Sequence, residues 1–361
     1  MALAVVRSLA HPRPLRTSAE LEDFEQELVD QYALALSAAG LTDGHVASER
    51  GVVFDLMRFV GRPVWTVGSE DADRYLLWLR RDQRLAHSTV QSRAWTLARF
   101  FEFLLARYQG DIHAVTGCVP VQPIDEFNRP AKADYGVARV PPSEEEVDVL
   151  FAAWRAWLPE ARKFLPAARD YLAASLWRRV GLRINETAML DVRDWRSDFG
   201  ELGKLHVRFG KGSAGRGPKT RLVPGINAVD ELLEWWLNDV RHQFGDDYDD
   251  PDSPLLPSER RDPLSGRCGR VGTDALRAGL AFAVGRWLPG WSTRLTPHVL
   301  RHHCASTMYL RGMDLKSIGD LLGHQWLATT TRYVHVHEGH IEASWAAANT
   351  RVTARLIDKD R

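Results

Sequence analysis

The sequence predicts a mainly α-helical chain of two domains that carries one small antiparallel β-hairpin. Three observations predict it. Apolar residues recur at helical spacing through most of the chain, a proline-containing stretch without periodicity interrupts it at 120–142, and one alternating segment, 204–209, runs into a glycine-rich loop. At 361 residues there is room for two domains, with a full hydrophobic core in the larger.

Residues 1–17 contain prolines and arginines without a sustained period and are expected to form a mobile tail. From 18 to 119 the pattern is that of a four-helix domain. Leu21, Phe24, Leu28 and Tyr32 mark the first apolar face, and Val53, Leu56, Met57 and Val60 the second. Tyr75, Leu76 and Leu79 mark the third, and Leu97, Phe100, Phe101 and Leu104 the fourth. Residues 120–142 read as a linker. The motif PSEEEV at 142–147 then has the form of a capped helix start, and the second domain is expected to span 143–337. Within it, 204–209 and 220–224 form the hairpin, and the acidic, proline-containing stretch 245–263 is expected to be a surface loop.

Near the C-terminus the local chemistry is dense. Thr296 suits a helix cap and Pro297 the first helical position, which places His298 and Arg301 on one face near the positive helix end, where anions bind. That helix is expected to reach about Leu310 and stop at Gly312; Asp314 caps a shorter helix that Gly323 terminates. His324 follows in a turn. After three threonines come Arg332 and Tyr333, the tyrosine on a short helix.

Composition narrows the function classes. Lys and Arg number 47, Asp and Glu also 47, so the net charge of zero does not advertise a nucleic-acid partner. The charges are nevertheless segregated: Arg80, Arg81, Arg84, Arg93 and Arg99 meet few acids, whereas 246–252 reads DDYDDPD. One face can therefore be positive. No apolar stretch nears the roughly 20 residues that cross a bilayer, and the N-terminus is too short and interrupted for a secretory segment, so a cytoplasmic location and no membrane partner are expected. Cys118, Cys268 and Cys304 lack metal-ligand spacing, which points to reduced thiols and no metal site.

Arg183 and Glu186, three apart on a predicted helix, would in isolation form an ordinary surface ion pair. In combination they mean more. The motifs GLRINE at 181–186, FGKG at 209–212 with KTRLVP at 219–224, HVLRH at 298–302 and LGHQWLATTTRYVH at 322–335 resemble those of the tyrosine site-specific recombinases, the phage-integrase family. The resemblance covers 143–340 by motif, and by helical pattern 18–119 is similar to the family's core-binding domain.

The resemblance implies that Tyr333 attacks the scissile phosphate, leaving a 3′-phosphotyrosyl bond and a free 5′-hydroxyl. Arg183 and Arg301 would hold the non-bridging oxygens, Lys211 would protonate the departing 5′-oxygen, with Lys219 the alternative, and His298 and His324 would assist proton movement. Glu186 would orient the helix that bears Arg183. It further implies double-stranded DNA as partner, a homotetramer on paired DNA sites in a two-domain clamp, accessory directionality factors, and no cofactor, metal or ATP. The segment 338–361, with Ile341, Trp345, Ala348 and Leu356 at near-helical spacing, would pack on a neighbouring subunit or on its own. Arg80, Arg84, Arg93 and Arg99 are candidates for DNA backbone contacts, and Ser88, Thr89 and Gln91 for base edges.

The physical reasons stand on their own. A phosphodiester under attack gains negative charge, so two fixed guanidiniums stabilise the transition state more than the ground state. A phenol, with a pKa near ~10, needs a base such as His298, and the more basic alkoxide leaving group needs an acid. Two alternatives share parts of this pattern: a type IB topoisomerase, and a DNA-binding regulator that keeps the fold without cleavage.

Overall fold

The computed structural model describes residues 14–131, 141–210, 217, 219–245 and 248–323. The chain divides into two compact units, one built from the chain up to Val137 and the other from Ala138 onward, residues 213–217 apart. Each has its own apolar core.

The first unit holds α1 (Ser18–Ala38), α2 (Asp43–Val60), α3 (Ser69–Arg81), α4 (His87–Arg107) and α5 (Gln109–Thr116). Thr17 starts α1 through a capping box: its hydroxyl accepts from Glu20 N, and the Glu20 carboxylate accepts from Thr17 N. Phe24, Leu28 and Tyr32 of α1 share a core with Val53 and Leu56 of α2, Tyr75 and Leu79 of α3, and Leu97, Phe100, Phe101 and Leu104 of α4. The buried carboxylate of Glu49 in this unit is well partnered. Glu49 accepts from Tyr32 Oη at 2.8 Å and Thr96 Oγ1 at 3.2 Å and pairs with Arg99 at 3.4 Å, which offsets its desolvation.

Three features differ from the sequence reading. A fifth helix, α5, follows a break at Tyr108 and buries only Ile112 and Val115, too few positions to mark a period. Leu15 N donates to Val115 O at 3.0 Å and its side chain packs on the core, so the expected tail is already anchored at that residue. The expected linker also begins as part of this unit. Ile124 is fully buried, and Asp125 and Asn128 close a turn through side-chain to backbone hydrogen bonds.

The second unit holds α6 (Glu144–Trp157), α7 (Phe164–Arg179), α8 (Ile184–Ala188), β1 (Trp195–Arg196), β2 (Lys204–Gly210), β3 (Lys219–Pro224) and α9 (Val229–Trp235). Then follow β4 (Pro257–Arg261), β5 (Cys268–Arg270), α10 (Thr273–Trp287), α11 (Pro297–Leu310) and α12 (Leu315–Leu322). Helix α7 buries Leu172, Ala173, Ala174, Leu176 and Trp177 in succession, as a helix covered on all sides must. Strands β1, β2 and β3 form an antiparallel sheet in that order, with Leu205 opposite Val223 and Val207 opposite Arg221. The stretch expected as a loop contains β4, paired with β5. Its sequence PSERR buries only Pro257 and shows no apolar alternation, which hid it.

Among the described residues no helix is long and apolar enough to cross a membrane.

Candidate active site

Helix α7 ends at Arg179, and the chain turns at Gly181 with φ +63°. A Cβ there would lie 2.4 Å from Leu322 Cδ2, so the glycine lets this turn press against the end of α12. Arg183 follows in extended conformation as the N-cap of α8, and Glu186, at the third helical position, reaches back to it. The carboxylate accepts from Arg183 N at 2.9 Å and from Arg183 Nη1 at 2.6 Å. Thr187 N closes the first turn onto Arg183 O at 2.8 Å, and Trp177 Nε1 of α7 donates to Thr187 Oγ1 at 2.9 Å. The pair is thus no surface ion pair on a helix face. Glu186 has 1% of its side chain exposed and Arg183 has 25%.

Thr296 caps α11 by accepting from Val299 N, Pro297 opens the helix, and His298 stands exposed in its first turn, edge-on to His302 with ring centroids 4.6 Å apart. One turn on, Arg301 is buried. Its Nη2 donates to Leu322 O at 2.7 Å and its Nη1 to Gly181 O. Arg183 Nη2 donates to the next carbonyl, Gly323 O, at 3.4 Å. Two guanidiniums from distant motifs therefore meet on consecutive carbonyls where α12 ends, the negative pole of that helix.

Burial strongly opposes charge on Glu186, yet the Arg221 hydrogen bonds and charge, followed by the Arg183 charge, hold its pKa at about 2. His298 is held below the ordinary imidazole value by partial desolvation first, then by the Arg301 and Arg183 charges, so it is neutral near pH 7. Burial pushes the Cys304 thiol up to about 12, and it stays protonated.

Arg221 is the residue the sequence reading missed. From β3 its Nη1 and Nη2 donate to Glu186 Oε1 and Oε2 at 2.9 and 2.8 Å, and its Nε donates to Leu321 O at 2.9 Å. A signal existed: in KTRLVP the buried Val223 sets the inward face by alternation, which turns Arg221 inward and leaves Leu222 exposed. An inward arginine requires a buried partner.

Of the predicted site residues, Arg183, Glu186, His298 and Arg301 come together. Lys219 opens β3, exposed, on the same strand face as Arg221. Lys211, His324 and Tyr333 lie outside the described residues, as does 338–361. In the first unit Arg80 at the end of α3, Arg84 in the connection that follows, and Ser88 and Thr89 at the start of α4 are exposed. Arg93 and Arg99 have partners of their own, Asp55 at 2.8 Å with Tyr75 Oη at 3.1 Å, and Glu49. Gln91 Nε2 donates to Ala131 O at 3.0 Å and fastens the chain that leaves the unit. Among the described residues no three of His, Cys, Asp and Glu are grouped to hold a metal ion.

Residues 144–340, which contain all of these motifs, match the phage integrase family. The chain belongs to the phage integrase family. Among its relatives, a tyrosine recombinase XerC of Methylobacterium sp. strain 4-46 is 34% identical over 184 residues, 51% of this chain and 51% of the relative. The chain thus spans about half the length of that relative. A XerC of Herpetosiphon aurantiacus is 28% identical over 316 residues, 86% of this chain and 91% of the relative. Two solved structures share the fold of this phage integrase family member. XerH site-specific recombinase bound to a palindromic difH substrate has a TM-score of 0.62 at 16% identity, covering 91% of this chain and 84% of the other. A lambda integrase dimer bound to a COC' core site has a TM-score of 0.59 at 16% identity, covering 86% and 95%.

Proposed function

We propose that this chain is a site-specific DNA recombinase that cleaves and rejoins strands through a 3′-phosphotyrosyl intermediate. The observation that carries this reading is the meeting of Arg183 and Arg301 on the carbonyls of Leu322 and Gly323, directly before His324 in sequence. Two converging guanidiniums fit the two non-bridging oxygens of one phosphodiester. Family membership and XerC relatives along most of the chain support the same reading.

In the proposed reaction Tyr333 Oη attacks phosphorus, the phosphorus to O5′ bond breaks, and the phenolic proton passes to His298. A hairpin lysine, Lys211 or Lys219, gives the proton that O5′ takes up. Negative charge that builds on the non-bridging oxygens falls to Arg183 and Arg301. A second 5′-hydroxyl reverses the step, since the phosphotyrosyl ester conserves the bond. The first unit serves as the core-binding domain, with the exposed Arg80, Arg84, Ser88 and Thr89 toward DNA, and recombination engages a tetramer on paired sites, helped by directionality factors.

A substrate nicked beside the scissile phosphate tests the reading by trapping the adduct. The purified chain is expected to form a covalent DNA complex that Tyr333→Phe abolishes. Binding without any adduct would favour a non-cleaving regulator, and relaxation of supercoils by a monomer without paired sites would favour a topoisomerase.

A further inference from the structure

We propose that Arg221 is a positioning residue for strand cleavage: by occupying the Glu186 carboxylate and anchoring β3 to the end of α12, it leaves Arg183 turned to the phosphate. The proposal rests on the recombinase reading and adds to it a residue outside the set of phosphate and proton-transfer groups.

Glu186 is the only acid in contact with Arg183 among the described hydrogen bonds. A buried carboxylate facing one guanidinium favours the two-point fork, which would draw Arg183 inward and offset its charge. Arg221 takes that fork instead, one hydrogen bond to each oxygen. Arg183 keeps a single side-chain contact to Oε1, and its other Nη reaches Gly323 O. The charges follow the same logic. Arg183, Arg221 and Arg301 against Glu186 leave two net positive charges at the pocket, and loss of Arg221 would leave one.

The third contact ties the elements together. Arg221 Nε on Leu321 O fixes β3, two residues from Lys219, to the last turn of α12. Gly323 makes room for it. A Cβ at 323 would come within 3.0 Å of Arg221 Nη1, on a backbone whose φ of +69° already favours glycine. One planar side chain thus joins the strand of the hairpin, the helix capped by Arg183 and the turn before His324. Lysine cannot replace it, because its donors radiate from one nitrogen and cannot meet both Glu186 oxygens as a planar fork while also reaching Leu321 O.

The test uses the full chain with Arg221→Gln and Arg221→Lys, and two nicked half-site substrates, one with the natural scissile phosphate and one with a neutral methylphosphonate there. Thermal unfolding, gel-shift affinity and the single-turnover cleavage rate at saturating protein are measured. Both variants are expected to fold and to bind DNA within about threefold of wild type, while cleavage of the phosphate falls about 100-fold, the penalty for a misplaced catalytic group. On the methylphosphonate, which carries no charge for Arg183 to meet, the penalty is expected to shrink to within about tenfold. Equal penalties on both substrates, cleavage by Arg221→Gln at the wild-type rate, or a loss that tracks the folded fraction would overturn the proposal. If Arg221→Gln does not fold, Arg221→Lys decides by the same comparison, and unfolding of both would assign Arg221 to stability alone. Absence of any adduct from wild type would sink the recombinase reading and this proposal with it, whereas wild-type cleavage alongside unimpaired variants sinks this proposal alone.

Discussion

Glu186 sets the behaviour of the site residue by residue, since it is buried, charged and shared by two arginines. Its pKa, about 2 in the folded chain against an ordinary 4.5, is depressed, so the stability it contributes is full above about pH 4.5 and is lost as pH falls toward 2. The melting-temperature gap between wild type and Glu186→Gln is therefore expected to close over that window; a gap independent of pH would contradict the ion-pair account. His298 gives the second prediction. Protonated imidazole cannot take a proton from Tyr333, so single-turnover cleavage is expected to fall with an acid limb below pH 6.5. His298→Gln is expected to remove that limb and to slow cleavage by about 10²–10⁴-fold. Arg183, His298 and Arg301 were legible in the sequence because each sits in a short motif beside its own cap or turn. For Arg221 the alternation of KTRLVP signals the inward face but not the partner, which lies 35 positions away on a different element.

At the scale of elements, the site depends on how helices begin and end. The Thr296 cap, the Pro297 start, the Asp314 cap and the Gly323 stop stand where the sequence predicts, because capping is a local matter of one side chain and the backbone beside it. Pairings across distance were not legible. Strands β4 and β5 and helix α5 lack a period of their own, and the tight approach of Gly181 to Leu322 joins segments far apart in the chain. That approach yields a prediction. Gly181→Ala must strain a positive φ and displace Leu322, so it is expected to cost at least about 2 kcal/mol in chemical denaturation. It should also lower cleavage, since the Gly181 carbonyl holds Arg301. Wild-type stability in this variant would show that the turn is not the constraint inferred. Helix α6 is fastened to the same region. Its Glu146 accepts from Trp291 Nε1 at 3.0 Å, and His303 of α11 meets Pro142 O at 3.2 Å just before the α6 cap.

For the whole molecule, zero net charge conceals a local excess. Arg80 and Arg84 of the first unit are exposed, whereas Arg93 and Arg99 of the same unit are engaged by Asp55 and Glu49. Arg80→Ala and Arg84→Ala are each expected to weaken DNA binding alike across sequences and to reduce the slope of log affinity against log salt by about one. The central claim is that the two arginines meeting at the end of α12 serve a tyrosine nucleophile in the same chain. It is tested most directly by incubating the full chain with an end-labelled nicked half-site and resolving products under denaturing conditions. The expected products are a protein-linked 3′ strand with wild type, none with Tyr333→Phe, and far less with Arg183→Gln at unchanged DNA binding. A protein-linked strand that survives Tyr333→Phe, or none with wild type bound at the same site, would contradict it.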